Sequence, residues 1–419
     1  RVTTHITHTN MHVMPSPPSP DASGSAFLDW ASSAGVATSA AFLVEPTATE
    51  GFGAVAGERV SVGDILVTVP RASALAVFSL EEEMRQTTTS LAQSHALAYA
   101  ACRVAAAPRG REPWVALWPV TPEGTWGVEG DSWRAFDGDA FRELRRLHEE
   151  GEAAARAAHE KLPPDISWER FKLGVSIVTS RAADLVVSGE SQPVLLPVID
   201  LCNHRRGGEH NCAIVFEDDH FVLRCERPIQ AGEPLTISYG SKENAELLYG
   251  YGFALRSNPS DAALLRLPLA PAADPTFGVQ RAALTPRGML DEEDCFWLPL
   301  GWSCDGPRWA PLLLMMLRLA AASSTAELIA AMTAGAGGGG DEEGEEAEAD
   351  VDIDEVPALG WSLLAEACDA DLAGSAPQGA DGDDTVPYWP HGAASVASAA
   401  RRDLVLAYAE VAWRRRDAA

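Results

Sequence analysis

Three polar side chains, Asp200, Asn203 and His204, follow the apolar stretch 194–199 directly. They put a carboxylate, an amide and an imidazole at the end of an apolar strand, and so at the edge of a core. A second apolar stretch, 235–238, leads into Tyr239 about thirty-five residues later. Groups of these types bind polar ligands and orient reacting atoms. The pattern predicts a binding site to which both stretches contribute.

Two β-rich sections and one helical section must position these residues. Residues 27–76 are predicted to start with a short helix at Phe27, followed by a hairpin-like pair of strands at Glu50–Ala56 and Ile65–Pro70. Residues 80–181 show helical periodicity and 194–253 are predicted to be β again. The predicted elements are helices at 92–107, 141–159 and 168–179, and strands at 212–216, 220–224 and 235–239.

The last part of the chain is predicted to be largely helical after one more strand at 264–269. The helices are expected at 310–322, 326–332, 359–371 and 393–416. A glycine run followed by many Asp and Glu residues interrupts them at about 335–356, and this stretch is too charged to bury. It predicts a disordered acidic loop, which could attract a basic partner or a cation but is more simply a solvated linker.

Composition narrows the class of protein. The 419 residues are 46% hydrophobic and 22% charged, which suits two or three globular units with their own cores. The net charge of −28 argues against direct nucleic-acid binding and favours a partner that presents basic side chains. No apolar run reaches the ~18 residues of a membrane span, so no membrane partner is expected.

Cysteine usage and the first residues bear on the compartment. Seven cysteines are dispersed, odd in number and without a Cys-x-x-Cys pair, which favours a reducing intracellular compartment. The stretch 1–25 is rich in His, Thr, Ser and Pro and is expected to be a disordered or targeting-like tail. Chloroplast and cytoplasm both remain open.

Six segments, in order, resemble the SET-domain protein methyltransferases, in the subgroup of the Rubisco large-subunit lysine methyltransferase and the actin histidine methyltransferase. They are Glu50–Ala54, Thr179–Ala182, Asp200–His204, Ile229–Leu235, Ile237–Gly240 and Ser241–Phe253. The glycines at 51 and 53 alone are only a tight-turn signal. Their order and spacing with the other segments carry the resemblance.

The resemblance implies an α+β fold of short curled strands. The SET domain would span 26–265, divided by a helical insertion at about 80–175, and an all-α substrate-binding domain would span 266–419. The implied activity is transfer of a methyl group from S-adenosylmethionine to a lysine side chain of a protein, by a monomer. Flanking zinc clusters, common in histone-type relatives, have no counterpart in the cysteine spacing.

The resemblance also implies roles for individual residues. Tyr239 and Tyr251 would be catalytic, with the Tyr239 hydroxyl near the methyl group and the incoming nitrogen. Asp200 would orient its loop more than perform acid-base chemistry. The residues implied to bind the cofactor are Glu50, Gly51, Phe52, Gly53, Arg181, Asp200, Asn203, His204 and Tyr239.

Other interpretations stay open. Asp200 could simply cap a turn and Tyr251 could be core packing. Cys202, His204, His210 and Cys212 are all possible zinc ligands, but their crowded spacing fits no common zinc site and no metal is expected. The acceptor could be a histidine, and the chain could be a non-catalytic binding module on a SET scaffold. The substrate, the degree of methylation and the compartment are not encoded in any motif.

Overall fold

The computed structural model describes most of the chain. The described residues are 20–46, 52–136, 141–205, 208–255, 258–268, 274, 277–284, 295–303, 306–307, 311–322, 324, 326–327, 330, 356–374 and 391–418. Most of the predicted tail and nearly all of the predicted acidic loop lie outside them. Val356, at the end of that loop, is buried. No helix among these residues has the length and apolar character of a membrane span.

The described residues form helices and strands that we number in chain order. The α-helices are α1 Pro20–Ser33, α2 Glu82–Thr88, α3 Gln93–Ala106, α4 Glu112–Val115, α5 Arg142–His159, α6 Trp168–Arg181, α7 Asn244–Tyr251, α8 Phe277–Leu284, α9 Pro311–Ala321, α10 Ala358–Gly374 and α11 His391–Ala418. Short 3-10 helices lie at Arg71–Ser73, Val77–Ser79, Gly124–Gly127, Gly130–Phe136 and Ile199–Leu201. The strands are β1 Ala37–Thr38, β2 Phe42–Pro46, β3 Phe52–Ala56, β4 Ile65–Pro70, β5 Leu75–Ala76, β6 Ala183–Val187, β7 Glu190–Leu195, β8 Asn203–His204, β9 Cys212–Glu217, β10 His220–Cys225, β11 Thr236–Ile237, β12 Ala262–Pro268, β13 Cys295–Ser303 and β14 Gly306–Pro307.

Two compact units divide the chain, and the first comprises residues 1–119 and 181–238. It contains four small sheets with the strand orders β1-β4-β10-β9, β5-β7-β6, β2-β3 and β11-β8. All pairings are antiparallel except that of β8 with β11. Val67 and Leu223 face each other across β4 and β10 and are fully buried. The short, separate sheets agree with the predicted fold of short strands.

The predicted hairpin between Glu50–Ala56 and Ile65–Pro70 is wrong. Both strands form, but β3 pairs with β2, and β4 pairs with β1 and with the distant β10. An alternating apolar pattern shows which residues face a core, but it does not name the neighbouring strand. The first helix also begins at Pro20, earlier than the predicted start at Phe27.

The second unit comprises residues 120–180 and 239–419. Helices α9, α10 and α11 pack together over the sheet β12-β13-β14. Their core is apolar, with Leu313, Leu317, Leu364 and Leu404 fully buried. Tyr408 in this core donates its hydroxyl to Gly301 O at 2.9 Å. The predicted helices at 310–322, 359–371 and 393–416 are confirmed within a few residues, while most of the one at 326–332 lies outside the described residues.

Two elements of the second unit depart from prediction. Residues 295–303 form strand β13, which pairs with β12 along its length, in a stretch expected to be helical or irregular. Residues 244–251, expected within a β section, form helix α7. Glu243 and Glu246 cap its first turn, and Gly252 ends it at φ +80°. The capping residues are present in the sequence, but the section as a whole was predicted to be β.

The unit boundaries fall at 120, 181 and 239, and not at 265. The second half of the predicted helical insertion therefore belongs to the same compact unit as the C-terminal helices. The predicted extent of the substrate-binding domain, 266–419, stays a proposal about which residues select the substrate.

Candidate functional site

A short extended segment, residues 232–237, holds two strands of the first unit, and we call it the central segment. Its first half bonds to β3: Ala56 N donates to Glu233 O at 2.9 Å, and Leu235 N donates to Ala54 O at 2.8 Å. β3 begins with Phe52 and Gly53. The backbone bonds therefore fix the start of β3 relative to the central segment.

The second half of the central segment pairs with β8. Thr236 lies opposite Asn203 and Ile237 opposite His204 in a parallel ladder. Arg205 N donates to Ile237 O at 3.0 Å and extends the pairing by one residue. The two halves together bring the predicted cofactor residues of β3 and β8 onto one piece of backbone. Asn203 and His204 remain partly exposed, so their side chains can reach a ligand.

Asp200 lies in the 3-10 helix just before β8 and is held from two sides. Trp114 Nε1 donates to Asp200 Oδ2 at 2.9 Å, and Arg181 Nη1 donates to Asp200 O at 3.5 Å. Burial raises the pKa of the Asp200 carboxyl to about 6, although the Arg181 charge and the Trp114 bond lower it. Arg181 and Asp200, predicted to serve the same ligand, therefore lie side by side.

The backbone before Asp200 is strained. Val198 is fully buried and adopts φ +74° and ψ −49°, which a β-branched residue rarely does. Such a conformation costs on the order of 1–3 kcal/mol and persists only where the surroundings enforce it. Val198 lies between β7 and the 3-10 helix that carries Asp200. The strain therefore occurs at the stretch where the sequence predicts ligand contacts.

The second unit contains the aromatic residues of the predicted site. Tyr239 and Tyr251 stack with ring centroids 4.7 Å apart and planes 25° apart. Phe253 follows at 6.0 Å from the Tyr251 centroid, tilted by 55°. All three side chains are half-buried. Stacked, partly open aromatic faces can line a channel for a cationic or apolar side chain.

The structure thus assembles most of the predicted residues in two sets. The first unit contains the set that we call the cofactor set: Phe52, Gly53, Arg181, Asp200, Asn203 and His204. The second unit contains the set that we call the aromatic set: Tyr239 and Tyr251, whose rings contact each other. Glu50 and Gly51 lie outside the described residues.

Sequence reasoning missed the residues that support these sets. Trp114 binds Asp200, and Asn211 binds the central segment through its side chain, with Oδ1 accepting from Thr236 N at 2.8 Å and Nδ2 donating to Pro234 O at 2.9 Å. Asn244 supports the aromatic set by similar bonds. The bonds of Trp114 and Asn211 join residues more than about twenty positions apart, and no local pattern signals them.

The cysteine and histidine residues near β8 form no metal centre among the described residues, where no group of three or more His, Cys, Asp or Glu side chains could hold an ion. Cys202 and Cys212 are buried, and burial raises the pKa of both thiols, that of Cys212 to about 12. His210 Nε2 instead lies 3.3 Å from Glu226 Oε2. These thiols are protonated core side chains.

Comparison with known proteins agrees with this geometry. Residues 51–240 match the model of the SET domain. The ribosomal lysine N-methyltransferase set10 of Schizosaccharomyces pombe is 32% identical over 145 residues, which are 34% of this chain and 25% of that protein. The N-lysine methyltransferase SETD6 of Rattus norvegicus is 26% identical over 304 residues, 66% of this chain and 61% of that protein.

A further relative and a solved structure complete the comparison. The actin-histidine N-methyltransferase of Rhinolophus ferrumequinum is 28% identical over 133 residues, 31% of this chain and 22% of that protein. This chain therefore spans less than two thirds of the length of these three relatives. The crystal structure of the SET domain of LSMT bound to lysine and AdoHcy superposes with a TM-score of 0.67 at 19% identity, covering 95% of this chain and 92% of that one. Residues 51–240 therefore match a SET domain, and the chain has the fold of the LSMT structure.

Proposed function

We propose that this protein transfers a methyl group from S-adenosylmethionine to a lysine side chain of a protein substrate. The observation that carries the proposal is the central segment, which holds β3 and β8 by backbone bonds and leads through Ser238 into Tyr239. The printed names of set10 and SETD6, both lysine N-methyltransferases, support the same reaction.

The residues of the first unit fit the proposed cofactor chemically. An adenine ring and an amino acid need hydrogen-bond donors and acceptors, which the Asn203 amide, the His204 imidazole and the strand backbone provide. The buried Asp200 Oδ1, which accepts no hydrogen bond from the described residues, could accept one from a bound ligand. When bound, S-adenosylmethionine would supply a methyl group on a sulfonium: a neutral amine can bond to the methyl carbon as the carbon–sulfur bond breaks, and the sulfur leaves as a thioether.

In this proposal the cofactor contacts come from Phe52, Gly53, Arg181, Asn203 and His204, together with Glu50 and Gly51 beside them in the sequence. Gly53 brings backbone without a side chain to the start of β3, so a ligand can approach closely. Asp200 holds Arg181 and its own loop in place. Tyr239 contacts both the cofactor and the acceptor.

The aromatic set would bind and orient the acceptor side chain. Tyr239 would align the nucleophilic nitrogen through its hydroxyl, and Tyr251, stacked on it, would form a wall of the acceptor channel. Lysine has a pKa of about 10.4 in water, and an apolar channel lowers it by disfavouring the charged form. Alignment of reacting atoms alone can contribute up to ~7–11 kcal/mol, so positioning residues are sufficient without a catalytic triad.

The substrate is proposed to be a protein that offers basic side chains to this acidic chain, which acts as a monomer and contacts neither nucleic acid nor membrane. The helices beyond residue 266 would select it. Histidine methylation is the second candidate, because a relative matching 31% of this chain is named an actin-histidine N-methyltransferase.

One experiment tests the reaction and the acceptor together. The protein is incubated with S-adenosylmethionine carrying a deuterated methyl group and with proteins from its own source, and modified peptides are identified by mass spectrometry. The proposal predicts deuterated methyllysine, and deuterated methylhistidine would select the second candidate. Absence of any labelled peptide, with no heat of binding on titration of the cofactor, would favour a non-catalytic module.

A further inference from the structure

The amide side chain of Asn244, the first residue of α7, bonds to a peptide group that follows the same helix. Asn244 Nδ2 donates to Leu255 O at 2.9 Å, and Leu255 N donates to Asn244 Oδ1 at 2.8 Å. This pair of bonds joins two residues that are eleven positions apart and closes the loop between them. Asn244 is only 4% exposed, so both bonds are shielded from water.

Two further buried side chains complete the arrangement. Asp261 Oδ2 accepts from Asn244 Nδ2 at 2.7 Å, and its Oδ1 accepts from Asn244 N at 3.0 Å. Asn258 Nδ2 donates to Lys242 O at 2.9 Å. Asn258 and Asp261 are 3% and 4% exposed. We call Asn244, Asn258 and Asp261 the clip. A buried polar group that loses its partner costs about 1–3 kcal/mol, so the clip favours one loop conformation strongly.

The loop that the clip closes contains Tyr251 and Phe253. Tyr251 is the last residue of α7, and Gly252 N donates to Leu247 O at 3.0 Å. Phe253 follows, and Leu255 is fixed by Asn244. The Tyr251–Phe253 turn is therefore held at both ends, at one by the helix cap and at the other by the clip.

We propose that Asn244 is a positioning residue for methyl transfer, which sets the Tyr251 and Phe253 rings against Tyr239. The expected effect of Asn244 on turnover rests on the proposed function. Displacement of a reacting group by about 1 Å can lower a rate about 100-fold. Asn244 therefore affects turnover although its own side chain faces the loop backbone and Asp261.

The first variant is Asn244→Ala, and the chain offers a matched control in the same unit. Tyr408→Phe also removes a buried side-chain bond to backbone, because the Tyr408 hydroxyl donates to Gly301 O and accepts from Gly301 N. Both variants should lower the thermal unfolding midpoint. Only Asn244→Ala should lower kcat, by tenfold or more, while the cofactor Kd changes less than threefold. Equal kcat in the two variants would overturn the inference.

A second variant tests the positioning role through the pH dependence of kcat, which a purely structural role would not change. Asn244→Asp brings a second carboxyl against Asp261, and two adjacent carboxyls retain a shared proton to higher pH. The charged groups around them are Arg142 and Glu143 of α5, Glu243 and Glu246 at the start of α7, and Arg401 of α11. Relative to the parent protein, kcat of this variant should fall as pH rises from 6 to 8. A constant ratio across that range would count against the clip.

Hydrogen exchange separates this inference from the proposed function. Exchange at the Leu255 amide should accelerate in Asn244→Ala and stay unchanged in Tyr408→Phe, whether or not methyl transfer is detected. Faster exchange with an inactive parent protein would retain the clip and reject the methyltransferase proposal. Unchanged exchange at Leu255 would reject the clip, even if the parent protein methylates lysine.

Discussion

The two sets of proposed site residues are held in place by different kinds of bonds. In the first unit, β3 and β8 are tied to the central segment by main-chain bonds, which do not depend on side-chain identity, whereas Asp200 and Arg181 of that set are held through side chains. In the second unit, the Tyr251–Phe253 turn depends on the side chains of Asn244, Asn258 and Asp261. The predicted cofactor residues of β3 and β8 should therefore tolerate substitution of the side chains that support them, whereas the aromatic set should not.

The largest effect is expected where the chemistry depends on one hydroxyl. Tyr239→Phe keeps the ring that stacks on Tyr251 but removes the polar contact, so turnover should fall by about 100-fold or more, equivalent to ~2.7 kcal/mol. Tyr249→Phe, which removes a hydroxyl from α7 in the same unit, is the control and should keep turnover within threefold. Steady-state methylation of the identified acceptor measures both. Unchanged turnover in Tyr239→Phe would remove Tyr239 from its role.

A glycine under α7 provides a test of packing in the second unit. A Cβ at Gly151 of α5 would collide with Tyr249 Oη and lie 3.1 Å from Tyr249 Cζ. Gly151→Ala should therefore destabilise the protein by about 1–3 kcal/mol. Adding Tyr249→Phe should restore part of this loss, measured by urea unfolding.

The control for this collision is Gly278→Ala in α8, where a Cβ would meet no described atom within 4 Å. That substitution should be neutral or slightly stabilising, since alanine favours helix more than glycine does. A similar loss of stability in both glycine variants would mean that contact with Tyr249 is not the cause.

Asp200 should make the free energy of unfolding depend on pH. Burial raises its pKa from 3.8 to about 6, so the folded protein binds the proton more tightly than the unfolded chain does. Its contribution to stability is full below pH 3.8 and is lost as the pH rises through 6. Relative to Asp200→Asn, the parent protein should lose about 1.4 kcal/mol of unfolding free energy between pH 5 and pH 8. An identical pH dependence in both proteins would contradict the raised pKa.

The smallest effect is expected at Asn211, which supports the central segment by side-chain bonds. Asn211 N also donates to Thr236 O at 3.2 Å, and this main-chain bond survives substitution. Asn211→Ala should cost only about 1 kcal/mol and leave the cofactor Kd within threefold. A tenfold weaker Kd would show that the first unit depends on side chains as much as the second does.

Local helices and strands were predicted from the sequence better than the partner of each strand was. Strands β3 and β4 were found from their apolar patterns, but the pairing of β4 with β10 joins residues about 150 positions apart. Asn203, His204 and Tyr239 were proposed as site residues from the ordered motifs, and their roles stay proposals. The Trp114–Asp200 bond and the clip join residues whose identities carry no local signal of contact.

Helix α7 shows a different kind of limit. The sequence contains its capping residues and Gly252, but the whole section around it was predicted to be β because strands precede it. β13 contains Phe296, Trp297 and Leu298, residue types that also suit a buried helix, so its type depended on pairing with β12. In both cases tertiary context decided between structures that the local sequence allows.

The most direct test of the division between the two sets is calorimetric titration of S-adenosylmethionine into the parent protein, Asn203→Ala and Tyr239→Phe. Asn203→Ala should weaken the cofactor Kd by about 10-fold or more, since a hydrogen-bonding group in the cofactor set is lost. Tyr239→Phe should bind the cofactor within threefold of the parent protein although its turnover collapses. Parent-like binding by Asn203→Ala, together with weak binding by Tyr239→Phe, would contradict the assignment of cofactor binding to the first unit and of transfer to Tyr239.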